Sequence, residues 1–313
     1  MSKDRHIKIR NVILLFITAM IWGCAFVAQK KGGENIPFTF NSIRSFVGGI
    51  VLIPAIFILD KIGLTRGKPK NAKERKTLII GGILCGLALC VASNLQQLGM
   101  YYGSEASKAS FLTTLYILMV PILGLFVKKK CPGNVWVGVV VALVGMYLLC
   151  VKENITDIKG SDLLLIATAF VFSLHIIVID YFTPKVDGVR MSCIQLFVAG
   201  VLTMIPAYFF DIRLMVGSVG EWSQILMSRN IWISILYAGI MSSGVAYTLQ
   251  IIGQNKLNPA VAALIMSFES VFGTIASWII LGERLSFKEC LGCTLIFAAV
   301  VIAQLRFKKK KAS

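Results

Sequence analysis

Ten long apolar stretches run through this chain, each close to the 17 to 25 residues that a helix needs to cross a hydrocarbon core. They lie at 11–29, 38–59, 77–99, 106–127, 134–151, 162–182, 190–210, 231–253, 258–281 and 287–305. Once they are allotted, the 313 residues leave no room for a large catalytic domain. Composition agrees: 57% of residues are hydrophobic and 15% charged, against about 45 to 50% and about 25% in soluble domains. The expected fold is an all-α integral membrane protein with ten transmembrane helices. The first stretch is followed by Lys30 and Lys31 and has no small-x-small cleavage site, so it is expected to remain as a span.

Charge sets the orientation. The net charge of +17 does not form a patch of the kind that binds nucleic acid. Seven basic residues fall between Asp60 and Thr77, and Lys308 to Lys311 form a run near the end. If the N-terminus is cytoplasmic, the inside segments carry 22 Lys and Arg and the outside segments 9. The positive-inside rule then places both termini in the cytoplasm. The connections near 60–76 and 211–230 are too short to be domains. The second contains Trp222, Ile225 and Leu226 at helical spacing and predicts a short interfacial helix.

The chain also repeats itself. Displaced by 154 positions, Val91, Ala92, Leu95, Gln96 and Gly99 fall on Val245, Ala246, Leu249, Gln250 and Gly253. Ala106, Ala109 and Gly138 fall on Ala260, Ala263 and Gly292. That is eight identities in 48 positions, where this composition gives roughly three or four by chance. The offset pairs each span with the one five later, and because five is odd the two copies run in opposite directions through the membrane. Inverted five-helix repeats, expected at 1–151 and 152–305 with a basic cytoplasmic tail at 306–313, are the architecture of secondary transporters, whose solute site lies near the midplane.

Four motifs carry a family resemblance: Trp22-Gly23; Ser107 to Pro121 (SKASFLTTLYILMVP); Asn258-Pro259-Ala260; and Leu281-Gly282-Glu283-Arg284-Leu285. In order and spacing the chain resembles the EamA family of the drug/metabolite transporter superfamily over nearly its whole length. The resemblance implies a ten-helix carrier in the plasma membrane that exports amino acids or other small metabolites. A departure is Glu269-Ser270 where family members often have Glu-Pro, so the break that proline gives a helix is not expected in span nine.

Few residues deep in the spans bear chemistry. Glu269 is the acidic residue near the middle of one, where a carboxylate costs about 2.5 to 3.5 kcal/mol and normally faces a cavity or a partner. It is the proton-coupling candidate, or else a protonated structural group. Ala262, Met266, Phe272, Gly273 and Ala276 share its face. His175, past the middle of span six, is either a satisfied hydrogen-bonding residue or a solute contact. Arg44, about 9 Å into span two, is expected to snorkel toward the outer interface, with bidentate contact to a solute carboxylate as the alternative. Trp22, Tyr116 and Tyr247 offer flat walls to a solute. Gln96 and Gln250 are repeat equivalents at span ends, and Gly82 and Gly86 mark a packing face on span three.

No P-loop, H-E-x-x-H, G-x-S-x-G or selectivity-filter sequence occurs. An intrinsic ATP-driven pump and the known intramembrane hydrolases are therefore not expected; the repeat and the resemblance imply transport and not catalysis, with no cofactor. The lone C-x-x-C of Cys290 and Cys293 makes no metal site. The expected partners are a small-molecule solute, the lipid bilayer and protons as coupling ion, for a monomer or dimer. A carrier of sugar phosphates or nucleotide sugars, or a channel or structural membrane protein, stays open as an alternative.

Overall fold

The structure is a computed structural model that describes residues 3–103, 106–129, 131–150, 159–281 and 286–304. The expected tail at 306–313, residues 282–285 of the fourth motif and the expected boundary between the halves at 151 and 152 lie outside the described residues. The described residues are helical, without strands. Three rods open the chain: α1 (Lys3–Gly32), α2 (Pro37–Lys61) and α3 (Ala72–Tyr101). The fourth stretch is two helices, α4 (Ala106–Thr114) and α5 (Tyr116–Phe126). α6 (Gly133–Cys150) and α7 (Gly160–Phe182) follow, then α8 (Gly188–Pro206), which runs on as a π-helical segment over Ala207–Val216. Gly217, at φ 84°, ends that segment in the left-handed conformation that suits glycine.

The connection after it holds the short helix α9 (Val219–Leu226). Its Trp222, Ile225 and Leu226 pack on the cluster of Ile36, Phe40 and Ile235, and the Trp222 indole donates to Thr39 Oγ1 at 3.1 Å. The next rod is α10 (Arg229–Leu236), a π-helical segment over Tyr237–Ala246, and α11 (Tyr247–Gln254). The ninth stretch is again two helices, α12 (Pro259–Met266) and α13 (Phe268–Leu281), and α14 (Phe287–Gln304) closes the described chain. Asn258-Pro259 is a start signal in physical terms: the Asn258 side chain accepts from Ala260 N at 2.9 Å, and Pro259 occupies a first-turn position that needs no N–H.

Among the described residues, eight helical stretches are long and apolar enough to cross a membrane, coinciding with expected spans one to four and six to nine. α6 and α14, 18 residues each, coincide with the fifth and tenth. Large apolar side chains point outward all along these rods, among them Phe57, Phe126, Phe209, Leu214, Ile279 and Phe297. A surface of that kind is stable against lipid and not against water. The interior carries polar groups in mutual hydrogen bonds: Asn41 Nδ2 donates to Asn94 Oδ1 at 3.0 Å, and Asn94 Nδ2 donates to Thr203 Oγ1 at 2.9 Å, tying α2, α3 and α8.

Helix contacts are reciprocal. A Cβ on Gly99 of α3 would lie 2.7 Å from Leu165 Cγ of α7, and one on Gly253 of α11 would lie 2.9 Å from Leu15 Cγ of α1. Phe197 covers Gly49 where α2 meets α8, and Phe46 covers Gly200. Gly138 abuts the Ala299 carbonyl, and Gly292 abuts that of Gly145. Gly82 and Gly86 admit Ile194 and Val198 of α8, which explains their four-residue spacing.

Candidate functional site

Both broken rods break at the level where polar groups gather. In span nine α12 ends at Met266 and α13 begins at Phe268, with Ser267 between them. Span nine is thus interrupted without a proline, contrary to the sequence expectation. Serine hydroxyls take up the carbonyls instead: Ser267 Oγ donates to Leu264 O at 2.7 Å and Ser270 Oγ to Ser267 O at 2.8 Å, while Ser270 N turns back to Ser267 O at 3.2 Å. In span four Leu115 N reaches Leu112 O, one residue short of the α-helical partner. Irregular backbone at this depth is stable where it lines a cavity or is buried in protein.

Glu269 sits in the first turn of α13 and is 4% exposed. Its Oε1 is 3.0 Å from Thr114 Oγ1 and accepts from the Tyr116 hydroxyl at 3.3 Å. Thr114 Oγ1 is also 2.7 Å from Ser110 O. One hydroxyl hydrogen cannot serve both oxygens, whereas a protonated Glu269 that donates to Thr114 leaves that hydrogen for Ser110. Gly23 fixes the height of the carboxyl group. A Cβ there would lie 2.6 Å from Gly273 N and 2.7 Å from Glu269 O, so only glycine lets α1 and α13 cross this closely. The Trp22-Gly23 pair therefore joins a cavity wall to a helix crossing.

A central cavity is lined by Trp22, Phe26, Gln29, Arg44, Gln96, Thr113, Tyr116, Phe172, Ile176, Ser242, Tyr247, Gln250, Met266 and Glu269. Five sequence candidates meet there: Trp22, Arg44, Tyr116, Tyr247 and Glu269. The rings of Trp22 and Tyr247 lie 4.9 Å apart, and Trp22 Nε1 donates to Ser242 O at 3.4 Å. That carbonyl belongs to the π-helical segment Tyr237–Ala246, a distortion that often marks functional positions. Gln96 and Gln250, the repeat equivalents, both line the cavity. It leaves about 30 Å³ to the centres of water-sized molecules, room for roughly two waters. An organic solute needs the walls to move.

Arg44 does not snorkel. It is 3% exposed, on the inward side of α2, with its guanidinium 5.7 Å from the Phe40 ring centroid. The reason is packing: Gly48, one turn on, sits against Gly239 and Gly244, and this crossing turns Arg44 inward. His175 stands behind the wall. It is fully buried, edge-on to Tyr247 at 6.1 Å, and its Nε2 is 3.0 Å from Gln195 Oε1. Sequence reading missed Gln29, Thr114 and Phe172. Thr114 lies within the span-four motif, and Phe172 is 150 residues from Trp22 as Leu165 is from Leu15, so motif and repeat both contained the signal.

Known proteins agree with this architecture. An uncharacterized transporter of Archaeoglobus fulgidus is similar at 26% identity over 93% of this chain and 85% of its own. A probable amino-acid metabolite efflux pump of Escherichia coli is similar at 21% identity over 97% of each chain. A solved crystal structure superposes with a TM-score of 0.74, covering 94% of this chain and 96% of its own at 15% identity, which shows a shared fold. The relatives are transporters and not enzymes. The profile of the EamA-like transporter family matches residues 9–151 and again 159–304, and the chain, a multi-pass membrane transporter, belongs to that family.

Proposed function

We propose that this chain is a secondary transporter that moves small organic metabolites, amino acids and related compounds first, across the plasma membrane by alternating access, working as an exporter. The observation that carries the reading is reciprocal packing around a small cavity of mixed polar and aromatic groups. Three pairs of contacts repeat with their partners exchanged: Gly99 with Leu165 and Gly253 with Leu15, Gly49 with Phe197 and Gly200 with Phe46, Gly138 with Ala299 and Gly292 with Gly145. Exchange of that kind is the mark of a two-fold axis. With five spans in each half the axis lies in the membrane plane, which supports ten spans in two inverted repeats, 1–151 and 152–305. The weighting of basic residues supports cytoplasmic termini, including the tail 306–313.

In this reading the halves rock about the cavity and expose it to one side at a time. Glu269 is the proton carrier. Tyr116, Tyr247 and Arg44 are the titratable or charged groups that share its cavity, and His175 lies one layer behind. The hydrogen count at Thr114 favours a protonated Glu269 in this structure. Amino acids and the outward direction rest on the family and on the name of the Escherichia coli relative.

Uptake into liposomes driven by an imposed pH gradient tests the reading, with wild type and Glu269→Gln compared over amino acids, small aromatic compounds and sugars. The expected result is loss of the proton-driven component in the variant with exchange retained. Full proton-driven transport by Glu269→Gln would make the carboxyl group structural.

A further inference from the structure

A second cavity lies between the α2–α3 connection and the turn from α7 to α8, at the end of the molecule that the proposed orientation puts in the cytoplasm. It leaves about 250 Å³ to the centres of water-sized molecules, against about 30 Å³ in the central cavity, and so has room for a phosphate group. Four cations line it: Arg66, Lys68 and Lys70 from the connection and Lys185 from the turn. Two acids share the lining, and both are engaged by other donors. Asp187 accepts from Arg66 N and from Arg190 N, each at 2.9 Å, and Glu74 accepts from Lys70 N at 2.8 Å. Among the described residues, no carboxylate lies within ion-pair distance of any of the four cations.

The connection has a defined shape. Arg66 Nη1 donates to Pro184 O at 2.7 Å, Gly67 turns the chain at φ 78°, and Gly67 N donates to Thr65 Oγ1 at 3.2 Å. Thr65 in turn donates to Asp60, the ion partner of Arg190. Positive-inside weighting explains the number of cations at this end, but not a concavity that gathers them from both family repeats. The surroundings suit a membrane surface. Ile62 and Leu64 of the connection are 59% and 70% exposed, and the Lys185 ammonium lies 3.0 Å from the ring centroid of the exposed Tyr181. Leu78 lines the cavity, and the exposed Ile79 and Ile80 continue α3 into the bilayer. Basic pockets at the cytoplasmic ends of membrane helices recognise phospholipid headgroups.

We propose that this cavity binds an anionic phospholipid, with the phosphate on Arg66, Lys68, Lys70 and Lys185 and the acyl chains along the apolar surface of α3. Arginine and lysine are the side chains that hold phosphate oxygens, by directed hydrogen bonds and by point charge. Arg66 to Lys70 belong to one family repeat and Lys185 to the other, so a bound headgroup ties the repeats together at this end. The site is separate from the central cavity and stands or falls apart from the transporter reading.

The test titrates the purified full chain in detergent with phosphatidylglycerol and with phosphatidylcholine, reading bound lipid by native mass spectrometry and stability by thermal unfolding. Phosphatidylglycerol should bind at least about 10-fold more tightly than phosphatidylcholine, and at about 100 times its Kd should raise the melting temperature by about 5 to 10 °C. The triple variant Lys68→Gln, Lys70→Gln, Lys185→Gln should weaken phosphatidylglycerol by about 10- to 100-fold and leave phosphatidylcholine nearly unchanged. The control is Lys73→Gln, Arg75→Gln, Lys76→Gln, which removes the same charge from exposed positions outside the cavity and should keep the preference. Equal binding of the two lipids by the wild-type protein overturns the proposal without reference to any variant. An equal loss in the control overturns it as well, by assigning the attraction to the charge of the whole connection. Stabilisation by glycerol 3-phosphate matching that by phosphatidylglycerol would make the occupant a soluble phosphate and overturn the lipid.

Discussion

Gly23→Ala is the most stringent perturbation of the site's architecture, because the added methyl group has nowhere to go. Its Cβ would lie 2.6 Å from both Gly273 N and Phe272 Cβ and 2.7 Å from Glu269 O. Ordinary contacts of a Cβ begin near 3.4 Å, and two of these three atoms are backbone of α13, so no rotamer change relieves them. The helices must separate by somewhat under about 1 Å, and overpacking of that kind costs about 1 to 3 kcal/mol. At roughly 2 to 4 °C per kcal/mol the melting temperature should fall by about 2 to 12 °C. Because the displaced turn carries Glu269, proton-driven transport should fall more than stability does. Thermal unfolding of the purified protein in detergent, read by tryptophan fluorescence, gives the first number, and liposome uptake gives the second. Gly133→Ala is the control, since nothing lies within 4 Å of its Cβ position and alanine is the better helix former; its melting temperature should hold or rise. An unchanged melting temperature and full uptake in Gly23→Ala would refute the close crossing of α1 and α13.

Other consequences follow from the same geometry. Gly49→Ala and Gly200→Ala, which meet Phe197 and Phe46 at 3.0 and 3.2 Å, should destabilise by similar amounts, each within about 2 kcal/mol; a large asymmetry in melting temperature would argue against a two-fold relation there. His175→Ala should cost about 2 to 5 kcal/mol of stability through its buried contacts and the Gln195 bond, yet leave the solute concentration for half-maximal transport nearly unchanged. A marked rise in that concentration would move His175 into the site. In a cysteine-free background, Lys68→Cys should react with a membrane-impermeant maleimide from the cytoplasmic side and Gly220→Cys from the opposite side. The reverse pattern would invert the orientation drawn from the basic residues.

Sequence exposes different parts of this molecule unequally. Spans are legible because a run of apolar residues about 30 Å long has few other uses, and the structure has helices at each of the ten runs. Breaks inside spans are not. Ser267 is an ordinary residue in a helix, and its role depends on hydroxyl bonds to carbonyls that hydropathy does not register. Depth along a span is legible and facing is not. Depth brought Glu269 and Tyr116 to the cavity, but it also suggested that Arg44 would reach the outer interface, when the Gly48 crossing turns it inward. His175 is deep yet one layer out, its Nε2 directed to Gln195 of α8. The fixed displacement of 154 detects spans three to five against eight to ten and misses the first two. Leu15 and Leu165 are 150 residues apart and Gly49 and Gly200 are 151 apart, so the two copies fall out of step by three or four residues between their second and third spans.

Counterflow tests the central claim most directly. Liposomes carrying the purified protein are loaded with unlabelled solute and diluted into a trace of the labelled compound, with no ion gradient imposed. A cavity exposed to one side at a time predicts transient, saturable accumulation of label above its equilibrium level, dependent on solute inside. Uptake that never exceeds equilibrium, together with steady single-channel currents, would contradict alternating access and make the protein a pore.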